Sequence, residues 1–317
     1  AEARLDASVG LTIALLTGGP RAISKVVGLV YGSTDRETAF AVKWPRVPES
    51  EAGLVREADA LAASHARGPA PGVPRLLGRT GVGARLAIAE SAAHGVPLFT
   101  RLSRENVESF TRLGASWLAD FNTRERRPSP DRDTLRDMTA REIQRFDETF
   151  GPIIDPALLD ETRRLCADLA DVPSVIEHRD FGPWNIFVDE TRRLTVLDWE
   201  SSRLRGLPLL DLIYFVSYIA FFVEGAMVSR RFADVYRSTL DERSPIGRLR
   251  QELIEQHREL LGISGTAVRA LRALCWIGHA ESEFQHFSAD AGGSPSVDAL
   301  RASVFVRLWR EEITSLR

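Results

Sequence analysis

The hydrophobic period changes once along this chain, and that change limits the folds open to it. From residue 9 to about 90, short β-rich runs alternate with Gly-containing turns: Val9 to Leu16, Lys25 to Tyr31, Thr38 to Trp44, Val73 to Leu77 and Ala84 to Glu90. One helical stretch follows the third run, from about Glu49 to Ser64, with Leu54, Ala58 and Leu61 recurring at helical spacing. Beyond Pro97 the period is helical. Val107, Phe110, Leu113, Trp117 and Phe121 make one stripe behind a candidate N-cap at Ser103, and Asp155-Pro156 opens a further helix with proline at its favoured first position. Arg126 to Pro130 is a surface break between them. The pattern predicts an α+β chain of two lobes: a five-stranded antiparallel sheet with one helix over residues 1–91, and a mainly helical lobe over 92–317.

Composition supports a folded, water-facing chain. Its 317 residues are 44% hydrophobic, enough for two packed lobes. The net charge of −3 gives no electrostatic case for nucleic acid or an anionic membrane as partner. The uncharged run Leu212 to Val223 is closed by Asp211 and Glu224, well short of the ~20 residues of a bilayer span, so a buried core helix is expected there. Cys166 and Cys275 sit in apolar helical patterns with no second Cys or His at metal-ligand spacing. They read as reduced core residues of a cytoplasmic protein. Nothing in the sequence indicates an oligomeric state.

One β-rich island, Ser174 to Leu197, interrupts the helical half. It carries His178-Arg179-Asp180-Phe181-Gly182-Pro183-Trp184-Asn185, then Asp198-Trp199-Glu200 after a turn at Asp189 to Arg193. Ser174 to Glu177, Asn185 to Val188 and Leu194 to Leu197 read as three short strands. Asp180 then lies on the loop leaving the first strand, Asn185 at the start of the second and Asp198 at the end of the third. A hairpin of the last two would bring Asn185 and Asp198 to one end. Phosphoryl transfer calls for such a set, because its catalysis is mostly positioning and charge neutralisation. Magnesium takes hard oxygen ligands, which a carboxylate and an amide (Asp198 and Asn185) supply. A second carboxylate, Asp180, can orient an acceptor hydroxyl and take its proton. His178 suits a loop-holding role.

The run His-x-Asp-x4-Asn, a strand, then Asp-Trp-Glu resembles the aminoglycoside phosphotransferase and choline kinase family, a branch of the protein-kinase-like fold. The resemblance extends from about residue 17 to 215 and implies ATP and Mg2+ as cofactors. It makes Lys43, in Ala41-Val42-Lys43, the phosphate-contacting lysine, and Glu57 on the following helix its partner. It implies that Gly18, Gly19 and Ser24 cover the phosphates and that Ala89 and Ser91 border the adenine. Asp211, in Leu207-Pro208-Leu209-Leu210-Asp211-Leu212, would be structural. The implied acceptor is the hydroxyl of a small molecule: an amino sugar, a sugar or an amino alcohol.

Three departures stand out. Arg179 occupies a position where the family more often has Gly, the turn Thr17 to Ser24 is poor in glycine, and Asn122 stands where His is common. His-Arg-Asp is also the protein-kinase form, so a protein kinase is the alternative. Against it, Asp-Trp-Glu replaces Asp-Phe-Gly and no Ala-Pro-Glu follows. A non-catalytic nucleotide-binding relative is a third possibility. Trp117, Trp276 and Trp309 read as core. Trp276, His279 and Glu283 share one helical face, which suits either a cage for a cationic substrate or a solvated surface.

Overall fold

The computed structural model describes residues 10–17, 25–32, 38–82, 85–167, 169–291 and 296–317. The chain divides into two compact units, one of residues 1–97 with 185–204 and one of 98–184 with 205–317.

The first unit is built on strands β1 (Leu11–Leu16), β2 (Lys25–Gly32), β3 (Thr38–Pro45), β4 (Leu76–Val82) and β5 (Arg85–Ser91), with helix α1 (Glu51–His65) between β3 and β4. They form an antiparallel five-stranded sheet in the order β1-β2-β3-β5-β4. Alternation decides which face is covered. On β3 the buried residues are Ala41, Lys43 and Pro45, so a charged side chain is directed onto the same face as the apolar ones. Helix α1 turns Gly53, Leu54, Glu57, Ala58 and Leu61 inward. Leu54 and Ala58 pack on Ile88, with Leu76 and Leu86 at the margin. Each large aliphatic buried here contributes about 1.5–3 kcal/mol.

The fourth strand begins at Leu76 rather than at the expected Val73. Gly72 has a left-handed φ of 77° and Pro74 lacks an N–H, so the chain turns before it can extend. The Gly72 carbonyl instead accepts from Val196 N at 2.8 Å. Two short strands, Ile186–Val188 and Leu194–Val196, form the expected hairpin, with Ile186 opposite Val196. A two-residue strand, β6 (Val96–Pro97), pairs with its outer side. Gly95, at φ 96°, makes that possible, because a Cβ there would lie 2.2 Å from the Val188 carbonyl oxygen.

The second unit is helical, as expected. It comprises α2 (Val107–Glu125), α3 (Arg132–Phe150), α4 (Pro156–Ala167), α5 (Leu210–Val223), the single turn α6 (Ala226–Ser229), α7 (Phe232–Leu240), α8 (Pro245–Leu261), α9 (Gly265–Ala291), α10 (Val297–Ala302) and α11 (Val304–Ser315). Every residue of α5 from Leu210 to Phe221 is buried, which an all-round apolar helix requires. Among the described residues no single helix is long and apolar enough to cross a membrane. Helix α2 starts three residues later than Ser103 would set it. Asn106 is its cap residue, and its side chain ties the preceding loop by accepting from Ser103 N and donating to Arg101 O, both at 2.8 Å. Helix α3 was not resolved from the sequence pattern; Asp131 caps it by accepting from Thr134 N at 2.9 Å.

Aromatic and ionic packing fixes the helices. Trp276 and Trp309 are fully buried, as expected of core residues, whereas Trp117 is half-buried and stacks on Phe121 and Phe181. Both cysteines are free and buried. Glu312 of α11 is fully buried and meets Arg250 of α8 at 2.8 Å, Arg272 of α9 at 2.5 Å, and the Tyr236 hydroxyl of α7. Trp276 Nε1 donates to that hydroxyl at 2.7 Å. Gly114 on α2 sets how closely α5 approaches: a Cβ would lie 2.4 Å from Phe215 Cζ. Gly114→Ala is therefore expected to destabilise the protein by about 1–3 kcal/mol through overpacking, read as a lower urea midpoint. An unchanged midpoint would show that the helices part at no cost.

Candidate active site

Sheet register assembles the charged cluster of the first unit. Lys43 lies opposite Val27 and Lys25 opposite Pro45, so the two lysines share one face of neighbouring strands. Both reach Glu57 of α1. Lys43 Nζ is 2.6 Å from Glu57 Oε1, and Lys25 Nζ is 3.0 Å from Oε2. Lys43 also lies 2.6 Å from Glu90 Oε1, at the end of β5. Lys25 further contacts Asp198 Oδ1 and lies 3.1 Å from Glu200 Oε2. The contact between Lys43 and Glu57 that the family resemblance implies is present.

Electrostatics separates the two buried glutamates. Burial alone would raise the Glu57 carboxyl, yet Lys43 and Lys25 outweigh it and bring its pKa down to about 2. Burial likewise disfavours the Lys43 ammonium, but Glu57 and Glu90 together hold it above its ordinary value. Burial raises the Glu90 carboxyl, with Lys43 opposing, and its Oε2 has no hydrogen-bond partner among the described residues. Glu57, gripped by two lysines, is the firmly ionised partner; Glu90 is the weaker one.

Asp198 follows the Leu194–Val196 strand with φ 66°, a left-handed conformation that Asp tolerates better than most residues. The fully buried Trp199 anchors the next turn, its Nε1 donating to Val196 O at 3.0 Å and its N–H to Glu57 Oε1 at 3.3 Å. Leu197 N donates to Asn185 O at 2.8 Å, so Asn185 and Asp198 do sit at one end of the hairpin. Carboxylate oxygens of Glu57, Asp198 and Glu200 lie within 4.8 Å of one another. Ala89 is inside the sheet, opposite Val42 on β3 and Gly78 on β4. Ser91 closes β5 by donating its N–H to Arg75 O and accepting from Arg75 N on its Oγ, both at 2.9 Å. Residues 92–94 then leave the sheet. Gly18, Gly19 and Ser24 lie outside the described residues.

In the second unit, Asp180 is half-buried on the loop after the Val175–Glu177 strand. Its carboxylate accepts from the Tyr214 hydroxyl at 3.0 Å on Oδ1 and from Trp184 Nε1 at 3.3 Å on Oδ2. Its N–H donates to His178 Nδ1 at 3.2 Å, so the buried imidazole holds the loop, as expected. Burial, followed by the Asp180 charge, raises the Tyr214 hydroxyl well above its ordinary value, and it therefore stays a proton donor to Asp180. Asp211 braces the same loop from the first turn of α5, accepting from His178 N and Arg179 N, both at 2.7 Å. Burial and nearby Glu177 push its carboxyl up to about 7, against those two donors. Arg179 has φ 66°, and its Nη2 donates to Gly278 O of α9 at 3.4 Å.

Lys25, Glu90 and Glu200 in the first unit and Tyr214 and Trp184 in the second carried no role in the sequence pattern. Tyr214 stands one helical turn beyond Asp211 inside the apolar run of α5, which gave no signal of its contact with Asp180. On α9, Trp276 is core rather than cage, His279 stacks on Tyr214 with ring centroids 4.1 Å apart, and Glu283 bonds the Ser303 hydroxyl.

Comparison with known proteins identifies the family and the fold. The sequence model of the phosphotransferase enzyme family matches residues 28–246, more than half of the chain. No curated protein matches the sequence. Solved structures do resemble the fold. A thermostable mutant of aminoglycoside phosphotransferase APH(4)-Ia, in apo form, superposes with a TM-score of 0.57 at 15% identity, covering 97% of this chain and 95% of that one. A ternary complex of a mutant of that enzyme with ADP and hygromycin B gives 0.56 at 14% identity over the same shares, 97% and 95%. The gentamicin complex of APH(2″)-IIa gives 0.50 at 12% identity, covering 94% and 93%. At such identities the likeness concerns the fold alone: a five-stranded antiparallel sheet with a mainly helical remainder, of protein-kinase-like type. With its family model matched from residue 28 to 246, this chain belongs to the phosphotransferase enzyme family.

Proposed function

We propose that this protein moves the γ-phosphoryl group of ATP, with Mg2+, to a hydroxyl of a small molecule. The observation that carries the proposal is the first unit's cluster: a buried lysine gripped by a buried glutamate, with Asp198 and Asn185 at one end of a hairpin. The donor chemistry fits a hard cation, since carboxylate oxygens of Asp198, Glu200 and Glu57 converge within 4.8 Å and an ammonium already sits among them. Magnesium would supply charge neutralisation at the phosphates. Asn185 and Asp198 would hold it, since each offers the side-chain oxygen that such a cation prefers.

Lys43 contacts the nucleotide phosphates, and Glu57 sets its position and keeps it charged. Gly18, Gly19 and Ser24, in the sequence before β2, cover the phosphates. Ala89 and Ser91 border the purine, whose edge meets backbone where the chain leaves β5. Residues 1–91 thus act as a nucleotide-binding lobe and 92–317 as the lobe for catalysis and acceptor. Asp180 orients the acceptor hydroxyl and accepts its proton as the oxygen bonds to phosphorus and ADP leaves. Tyr214 and Trp184 aim the Asp180 carboxylate by donating to its two oxygens. The buried free thiols Cys166 and Cys275 suit a reducing cytoplasm. The acceptor belongs among amino sugars, sugars and amino alcohols; the APH(4)-Ia complex holds hygromycin B and the APH(2″)-IIa complex gentamicin.

The test is ADP release by the purified full chain with ATP and Mg2+ across a panel of amino sugars, neutral sugars, choline and homoserine-like alcohols. Acceptor-dependent release that requires Mg2+ supports the proposal. Nucleotide binding with no turnover on any acceptor would turn it toward a non-catalytic relative.

A further inference from the structure

We propose that Lys25 is a tethered cation that keeps the Asp198 carboxylate closed to divalent metal until a nucleotide arrives. The inference rests on the assignment of Asp198 as a metal ligand and goes beyond it.

The ammonium of Lys25 meets three carboxylates: Glu57 at 3.0 Å, Glu200 at 3.1 Å, and Asp198 in direct contact. An ammonium has three N–H donors, so this arrangement uses its full capacity. A lysine whose task was only to neutralise Glu57 would not need this geometry. Glu57 already has Lys43 at 2.6 Å. The other two partners of Lys25 are partly open to solvent, with side chains 32% exposed for Asp198 and 43% for Glu200, and could be solvated without it. Those two are, however, the carboxylates a metal would recruit. With Glu57 they bring three negative charges within 4.8 Å, a set that repels itself unless a cation lies among them. Lys25 supplies one that cannot diffuse away.

A divalent ion and the ammonium compete for the same Asp198 oxygen. Metal binding alone would have to displace Lys25 and leave its charge beside the incoming ion. Metal arriving with a nucleotide brings its own phosphate anions, which can receive the displaced ammonium. Lys25 is the first residue of β2, next in sequence to Ser24, one of the residues assigned to the phosphates. Divalent binding thereby becomes conditional on nucleotide.

The experiment is a Mn2+ titration of the nucleotide-free full chain, read by the free-ion electron spin resonance signal, on wild type, Lys25→Met and Lys25→Arg. Wild type and Lys25→Arg are expected to bind weakly and Lys25→Met on the order of tenfold tighter or more, as removing an adjacent unit charge implies. Adding Asp198→Asn to Lys25→Met should abolish the gain. With ADP present, wild type should bind Mn2+ tightly and its difference from Lys25→Met should shrink. Should Lys25→Met fail to fold by circular dichroism, Lys25→Gln, which keeps a donor for Glu57, replaces it with the same expectation. A folded variant that binds Mn2+ no more tightly than wild type without nucleotide overturns the proposal. Absence of any ADP-dependent Mn2+ binding by wild type would instead strike at the phosphotransferase assignment.

Discussion

Asp180→Asn is expected to lower kcat by about 10²–10⁴-fold, the range over which a positioned proton acceptor contributes, while nucleotide affinity stays unchanged. The substitution keeps the shape of the side chain but removes its basicity. It also converts one of the two acceptor oxygens, which receive Tyr214 and Trp184, into a donor, so one of those hydrogen bonds must be lost. Tyr214→Phe separates the two effects, because it leaves the base intact and removes only the 3.0 Å hydrogen bond that aims it. Its loss in kcat should be smaller, about tenfold, in keeping with a single neutral donor to a charged group. Steady-state turnover with the best acceptor, beside calorimetric ADP titration, makes the comparison. An Asp180→Asn protein that retains most of its kcat would remove Asp180 from the chemistry.

Glu312→Ala is expected to cost about 3–5 kcal/mol of stability, the loss found when one partner of a buried ion pair is deleted. Glu312 is fully buried, and its two oxygens serve Arg250, Arg272 and the Tyr236 hydroxyl, drawing α7, α8, α9 and α11 onto one carboxylate. Removing it strands a guanidinium that is only 2% exposed. Burial raises the Glu312 carboxyl, but Arg250 and Arg272 outweigh that and hold it below its ordinary value. The charged form is thus the one that folding favours. The sign follows: this contribution is present above the unfolded carboxyl pKa and is lost as pH falls toward the depressed folded value. Replacing Glu312 with Leu and Arg250 with Met together should recover much of the loss, since the uncompensated charge goes with its partner. Urea unfolding at neutral pH reads both variants, and a loss under about 1 kcal/mol for Glu312→Ala would show that the arginines find other partners.

Period and punctuation in the sequence carried most of the fold, because in most elements, the exposed strand β1 excepted, the apolar spacing agrees with the face that is buried. The sheet, α1, α5 and the Ile186–Val196 hairpin follow that logic. The start of α2 did not, because the Asn106 side chain ties Ser103 and Arg101 into a loop, accepting from Ser103 N and donating to Arg101 O, and the helix begins only after it. Within the candidate site, Asn185 and Asp198 could be found from strand-end position, and Lys43 and Glu57 from the family resemblance. Lys25 could not. A lysine at the start of a strand is ordinarily solvated, and only the β2–β3 register puts it on the face of Lys43. Glu90 was hidden for the same reason, since its partner lies across the sheet on β3. Tyr214 was taken up by the apolar run of α5, where composition gives no hint that one hydroxyl is aimed at a carboxylate.

The contact between Arg179 and Gly278 constrains how this lineage can drift. Arg179 bears the strain of a left-handed backbone, about 1–2 kcal/mol for a residue with a Cβ, and its guanidinium rests against the carbonyl of a glycine in the middle of α9. A methyl group at 278 would come within 3.0 Å of that guanidinium. Each residue thus sets the acceptable replacements at the other. A change of Gly278 to alanine, favoured by helix propensity alone, makes the tip of the Arg179 side chain give by a few tenths of an ångström while the arginine stays. Once position 179 becomes glycine the left-handed turn is relaxed and the helix is free to accept a side chain. The two sites are therefore coupled: the cost of a side chain at 278 depends on which residue stands at 179.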